Sequence, residues 1–319
     1  ITAMRFANFL LGTDVKLGAV VDEWIIDLER AQNYLSEGND SDKGNSFPGC
    51  LSAELMIEIS DRDSLFMEAS QQTVDFIQES TPFEVESLRS KKVILNFDQA
   101  VLEPPIINPG KIICVGLNYP SPGRAEHQPT KFPTLFLKPS STMTGHRRSV
   151  LLPRISEEVF CEGELAVVIG ESGKHISIEK ALSHVGGYTI ANDIGARDFE
   201  QRTSQWATGK LADTFCPLGP ILVTPDEIPE ANKLEIQTQI NRKLVQKGNT
   251  SQMIFSVPYL ISYISSIATL FPGDIILTGS PKSIDNQPTP VVFLNAGDDI
   301  MVKIEGIGGL SNHTVQEEN

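Results

Sequence analysis

The sequence predicts an α+β protein, mostly β, in which a small N-terminal α/β domain precedes a larger β-rich one. Three observations lead there. Residues 4–27 read as short strands separated by polar turns, and residues 52–80 carry apolar side chains at helical spacing. The segment EPPIINPGK (103–111) is rich in proline, which removes backbone donors and interrupts regular elements, so the domain boundary is expected there. Beyond residue 111 short β-rich runs take over, and helical spacing is confined to about 177–183, 196–203 and 256–269. The expected domains are 1–105 and 106–319.

In the first domain RFANFLL, KLGAVV and EWIIDL form a meander that turns at Gly12-Thr13-Asp14 and at Asp22-Glu23. Leu55, Ile57, Leu65, Phe66, Val74 and Ile77 mark two helices, with Asp61 and Asp63 as expected caps. In the second domain the strands are IICVG, TLFLK, VLLP, ELAVVIG, GGYTIAND, ILVT, EIQTQIN, DIILTG and DIMVKIEGIG. The series MIFSVPYLISYISSIATLF (253–271) is apolar nearly all round, which reads as a core helix, with an interface as the other reading. No internal repeat or low-complexity tract is visible.

Composition excludes some partners. A chain of 319 residues with 40% hydrophobic content has the material for a sizeable core. Its formal charge of -15 excludes a sequence-independent grip on nucleic acid or on an anionic membrane, since both depend on an excess of lysine and arginine. Small molecules are the expected partners. No apolar run of membrane-spanning length occurs, and the opening ITAMRFANFLLG lacks the basic-then-apolar order of a secretory leader, with Met4 as the expected start. The four cysteines, Cys50, Cys114, Cys161 and Cys216, stand far apart without CxxC pairs, which points to a reducing cytoplasm rather than a disulfide framework or a zinc cage.

The chemistry gathers around FCEGELAVVIG (160–170). In a strand Glu162 and Glu164 project together, while Cys161, Gly163 and Leu165 face the other way. Two acids on one face repel, and burial without a counterion would cost several kcal/mol, roughly. Either the strand end is wet or a hard divalent cation sits between them. Asp193, where GGYTIAND meets a helix start, is either an N-cap or a third ligand. Three oxygen donors suit Mg²⁺, Mn²⁺ or Ca²⁺, and open coordination positions would make such a site catalytic.

EGELAVVIG, GYTIAND..ARD, QW..GK..DTFCPLGP, MIFSVPYLISYIS, PGDIILTGSP and IEGIGGLSN occur in the order and at the spacing of the fumarylacetoacetate hydrolase family. The chain resembles that family over about 111–312, and RFANF....VKLGAVVDEWIIDL is similar to its small leading domain. The resemblance implies a mixed β-sandwich or roll for the C-terminal domain, commonly paired as a homodimer. It also implies that Glu162, Glu164 and Asp193 are the metal ligands. Lys210, by itself a solvated lysine, corresponds to the family's lysine beside the metal, which holds a substrate oxygen or an enolate. Thr278-Gly279-Ser280-Pro281 matches a TGTP turn expected to bind a carboxylate, and its local reading is a tight turn after a strand. Tyr119 matches a family position near the substrate, its local reading being packing at a strand end, and Gln205, in the loop before Lys210, is a candidate for the pocket lining. Arg197 is either a substrate contact or one half of a helical ion pair.

One motif departs from the family. Hydrolytic members carry NYxxHxxE, whose histidine and glutamate activate water, whereas NYPSPGRAEHQ places Pro122 and Ala125 there. Glu126 and His127, just beyond, are the candidates for a rebuilt dyad, and His146 either reaches the pocket from its loop or faces solvent. The expected function is a divalent-metal enzyme acting on a 2-oxo acid or 1,3-dicarbonyl (β-dicarbonyl) substrate through an enolate. Loss of the dyad favours non-hydrolytic chemistry: decarboxylation, isomerisation or tautomerisation, dehydration or cyclisation. A C–C hydrolase using Glu126 and His127 stands as one alternative, and a catalytically inactive binding protein with the same fold as another. The loops 120–132 and 283–290 are expected to shape the substrate's tail, and either is a candidate lid.

Overall fold

The structure is a computed structural model, and it describes residues 4–36, 51–61, 63–120, 131–282 and 292–318. The N-terminal meander forms as the alternation requires: β1 (Arg5–Leu11), β2 (Asp14–Val21) and β3 (Trp24–Asp27), each antiparallel to the next. Four helices follow, α1 (Leu28–Ser36), α2 (Ala53–Ser60), α3 (Leu65–Glu79) and α4 (Pro82–Ser90). Only α2 and α3 were expected. Their caps are Ser52 and Ser64, whose hydroxyls accept the amides of Leu55 and Met67, and Asp61 closes α2 at its C-terminal end instead. The missed helices had local signals. Asp27 accepts the amide of Arg30 at the start of α1, and Thr81-Pro82-Phe83-Glu84 forms a capping box with proline in the first turn of α4.

The chain then lays down β4 (Ile94–Asn96), β5 (Leu102–Glu103), β6 (Ile112–Gly116), β7 (Thr134–Lys138), β8 (Met143–Thr144) and β9 (Ser149–Leu152). The strands β10 (Val159–Phe160), β11 (Gly163–Ile169), β12 (Val185–Asn192) and β13 (Gly195–Ala196) lead into two single-turn helices, α5 (Arg197–Glu200) and α6 (Ala207–Lys210). Next come β14 (Cys216–Val223), β15 (Glu235–Ile240), β16 (Lys243–Asn249), α7 (Val257–Ile267), β17 (Ile275–Leu277), β18 (Asp299–Ile304) and β19 (Gly308–Gln316). Residues 178–184 form a 3₁₀ helix rather than an α-helix. The composition of elements agrees with α+β, mostly β.

A large sheet of order β4-β3-β2-β1-β14-β12-β11-β17-β6-β7 runs through the molecule, with β5 against β1 and β8 against β14. Because β1 pairs with β14, strands of the first 105 residues and of the remainder belong to this one sheet. A second sheet, β16-β15-β18-β19-β9, packs across it, and both contribute to the same apolar cluster through Leu165, Ile190, Ile236 and Val302. The helix α7 is a core helix on one face only: Val257, Leu260, Ile261 and Ile264 are buried, whereas Ile267 is 61% exposed.

His146 neither reaches a pocket nor faces solvent. It is buried in the turn after β8, where its Nδ1 accepts the amide of Ser311 at 3.1 Å. Burial, with help from neighbouring Arg147, lowers its pKa from 6.5 to about 4, against a weaker opposite pull from Asp98. The unfolded chain therefore binds the proton first as pH falls, so this contribution to stability is present above pH 6.5 and is lost between there and about 4. From pH 7.5 to pH 5 the loss attributable to His146 is about 2 kcal/mol. H146N, whose amide oxygen preserves the acceptor, is expected to flatten that part of the profile in urea titrations at the two pH values.

Candidate metal centre and active site

The adjacency of β12, β11, β17 and β6, with their antiparallel and parallel senses, brings four segments to one edge of the large sheet. They are the start of β11 with Glu164, the residue after β12, which is Asp193, the turn after β17 at Thr278–Pro281, and the turn after β6 at Tyr119. Glu162 lies one residue ahead of β11, in a break between β10 and β11, rather than within one continuous strand. Side-chain amides hold that break. The Glu162 N–H donates to Asn192 Oδ1 at 2.9 Å, the Gly163 N–H donates to Gln246 Oε1 at 3.1 Å, and the Glu162 carbonyl accepts the Asp193 N–H at 2.8 Å. A β-carbon at Gly163 would lie 2.3 Å from Thr238 Oγ1 and 2.7 Å from Val302 Cγ1, so the second sheet leaves room only for glycine between the two acids. As a result one carboxylate oxygen from each of Glu162, Glu164 and Asp193 lies within 4.8 Å of the others.

Two lysines enter this cluster. Lys210, at the end of α6, places Nζ 2.8 Å from Glu162 Oε2 and 3.1 Å from Asp193 Oδ2, and Glu200 Oε1 stands 3.7 Å away. Lys138, at the end of β7, approaches from the far flank, because the segment after β7 returns to pair with β14; its Nζ is 2.6 Å from Asp193 Oδ1. Both lysines are buried. Burial favours the neutral acid at Asp193, but the ammonium groups of Lys138 and Lys210 outweigh it and hold its pKa below the usual value. Burial works against the charge of Lys210, and Asp193, Glu162 and Glu200 outweigh it, so this ammonium is firmly retained.

Glu164 differs from its neighbours. Among the described residues no lysine or arginine comes within ion-pair distance of it, and its Oε2 accepts only the Gly279 amide, at 2.7 Å. Burial first, then the charges of Asp193 and Glu162, drive its pKa well up. A buried carboxylate with no ion-pair partner among the described residues, beside two more carboxylate oxygens, fits a hard divalent cation held by Glu162, Glu164 and Asp193. No thiol or imidazole belongs to the set, which disfavours a soft metal.

The remaining candidates divide. Tyr119 is buried with its hydroxyl unpartnered among the described residues, and burial, reinforced by Glu164, keeps the phenol protonated. Asn118 fixes the backbone beside it, donating to Phe255 O at 3.0 Å and to Thr278 O at 2.7 Å. The donors assigned to a substrate carboxylate in the Thr278 turn are engaged within the protein: Thr278 Oγ1 donates to Leu165 O, and the Gly279 amide to Glu164. Ser280 is half-buried in the same turn. Asp193 is not an N-cap, since α5 begins after Ala196 with no capping side chain. Arg197 takes the ion-pair reading, with Nη1 2.7 Å from Glu200 and its guanidinium 4.3 Å over the Phe160 ring. Gln205 is exposed, and its backbone exchanges hydrogen bonds with Thr203. Glu126 and His127, and most of the loops 120–132 and 283–290, lie outside the described residues. Reading by sequence missed Lys138, Glu200, Asn192 and Gln246. Lys138 had a signal, a lysine ending the apolar run TLFLK, whereas an amide that grips a distant backbone leaves none.

The model of the fumarylacetoacetate (FAA) hydrolase C-terminal family matches residues 111–316. The chain belongs to the fumarylacetoacetate hydrolase family. Within that family it is 41% identical over 232 residues to the human oxaloacetate tautomerase FAHD2A, mitochondrial, an overlap of 72% of this chain and 74% of the relative. It is 38% identical over 315 residues to the oxaloacetate tautomerase YisK of Bacillus subtilis, covering 97% of this chain and 99% of the relative, so the likeness to the family includes the N-terminal meander. Among solved structures, maleylpyruvate hydrolase from Sphingobium in complex with manganese (II) ion and pyruvate superposes with a TM-score of 0.72 at 28% identity, over 99% of this chain and 100% of that one. The fumarylacetoacetate hydrolase fold and an enzyme of this family are what the chain shows. No helix among the described residues is long and apolar enough to cross a membrane.

Proposed function

We propose that this enzyme interconverts the enol and keto forms of a 2-oxo dicarboxylic acid of the oxaloacetate type, without hydrolysis, using a divalent cation at Glu162, Glu164 and Asp193. The observation that carries the reading is the convergence of those three acids with the buried ammonium of Lys210. The 97% coverage by a relative named oxaloacetate tautomerase supports the substrate class. Mg²⁺ or Mn²⁺ is the proposed ion, in keeping with a set of hard oxygen donors. A homodimer in a reducing compartment completes the reading, supported by family kinship and by three buried free thiols, Cys114, Cys161 and Cys216.

A bound divalent ion supplies Lewis acidity that makes an enolate cheaper to form from a 2-oxo acid. The protein's own groups supply the rest. Lys210, fixed by Glu162, Asp193 and Glu200, presents a permanent positive charge to oxygen that gains negative character in the enolate. Tyr119 keeps its proton and offers an unspent hydroxyl as a donor to substrate oxygen. Tautomerisation moves a proton between carbon and oxygen and consumes no water, so it needs no water-activating dyad, and Pro122 and Ala125 at the dyad positions are no obstacle to it.

With freshly dissolved enol oxaloacetate and Mg²⁺, the purified protein is expected to speed the decay of the enol ultraviolet absorbance. Pyruvate and carbon dioxide should form no faster than in the same solution without protein. Catalysed cleavage of acylpyruvates, with no effect on enol decay, would reverse the proposal in favour of the C–C hydrolase.

A further inference from the structure

Gln246 stands outside the acid cluster, on the second sheet, yet its side chain joins two separate parts of the site. Its Oε1 accepts the N–H of Gly163, the residue between Glu162 and Glu164, and its Nε2 donates to the carbonyl of Pro281 at 3.0 Å. The Pro281 turn in turn sends the Gly279 amide to Glu164 Oε2 at 2.7 Å. These bonds close a ring through Gly163, Glu164, Gly279, Pro281 and Gln246. Both amide groups of Gln246 are matched, and the residue is 9% exposed.

The backbone aims this side chain deliberately. Gln246 lies opposite Thr238, and the pairing of β15 with β16 shifts register between Thr238 and Gln239, which leaves one extra residue on the β16 side. Thr238 and Gln246 then face Gly163 together. Two residues along, a β-carbon at Gly248 would lie 2.4 Å from the Pro281 β-carbon, so β16 presses directly on the turn that Gln246 holds.

We propose that Gln246 is a positioning residue that locks the Glu162–Glu164 pair and the Thr278–Pro281 turn into one unit, so that both present their oxygen and amide groups to the cation site in a fixed relation. This inference rests on the cation reading of the acid cluster. It assigns no contact between Gln246 and substrate. Its action is on the backbone of the acid-bearing segment and on the acceptor geometry of Glu164.

The test is calorimetric titration of Mn²⁺ into the wild-type protein, Q246M and Q246E, with thermal unfolding in parallel. Q246M keeps the length of the side chain and removes both hydrogen bonds, and its Mn²⁺ affinity is expected to fall about 10–100-fold, the usual cost of losing a group that orients ligands. In Q246E the introduced carboxyl accepts from Gly163 at any pH but donates to Pro281 only when protonated. Its deficit relative to wild type is therefore expected to shrink as pH is lowered from about 8 to about 6, while a role in packing alone predicts that folded Q246M, whatever its Tm, binds Mn²⁺ as wild type does. Wild-type binding with Q246M within twofold of it overturns the inference alone. If Q246M does not fold, a Q246E deficit that is absent or independent of pH overturns it. A wild-type protein that takes up no Mn²⁺ overturns the cation reading and this inference with it.

Discussion

D193A is expected to abolish divalent-ion binding in calorimetry and to destabilise the fold by roughly 3–5 kcal/mol, the cost of leaving buried charge without its partner. Asp193 is the only acid of the cluster that both lysines touch: Oδ1 meets Lys138 and Oδ2 meets Lys210. Its removal takes away a third of the oxygen donors and strands Lys138, whose partners among the described residues are Asp193 and the Ile194 carbonyl. The two effects separate in a double variant. Adding K138M to D193A removes the stranded ammonium and is expected to recover much of the stability in urea unfolding, without restoring ion binding. Full ion binding by D193A would remove Asp193 from the ligand set.

K210M is expected to lower kcat by about 10²–10³-fold, the scale seen when a preorganised donor to developing negative charge is deleted. Its effect on the ion has the opposite sign. Lys210 Nζ lies 2.8 Å from Glu162 and 3.1 Å from Asp193, so the ammonium competes electrostatically for the oxygens a cation would use. Without it, Mn²⁺ affinity is expected to rise about tenfold while turnover collapses. The stability gained on adding Mn²⁺, read as a shift in Tm, should be larger in K210M than in wild type. Parallel loss of ion binding and turnover would instead make Lys210 part of the scaffold for the acids.

Some of the site was legible before any coordinates. An apolar run interrupted by Glu162 and Glu164 demanded either water or a counterion, and the run of ordered motifs linked Asp193, Lys210 and the Thr278 turn to it. The strands of the meander and the pair α2 and α3 followed from periodicity and flanking turns. What escaped was set at a distance. Lys138 is 55 residues from Asp193, Gln246 is 83 from Gly163, and local spacing carries no information about which long side chain will cross between sheets. The donors of Thr278 and Gly279 read as substrate contacts because a turn displays its donors to the sequence reader, while the acceptors that engage them, Leu165 and Glu164, sit on another strand.

By itself the sequence determined the α+β class, since alternation and turn residues are local properties that need no partner, while the run of ordered motifs carried the family and, through that resemblance, the set of three acids. Only the tertiary structure decided that strands from distant parts of the chain share one sheet, and that Lys138 and the side-chain amides of Asn192 and Gln246 join Lys210 around the acids. The reason is physical: a buried charge or backbone amide must be matched by whatever the fold brings within about 3 Å, and that neighbour is chosen by packing rather than by position along the chain.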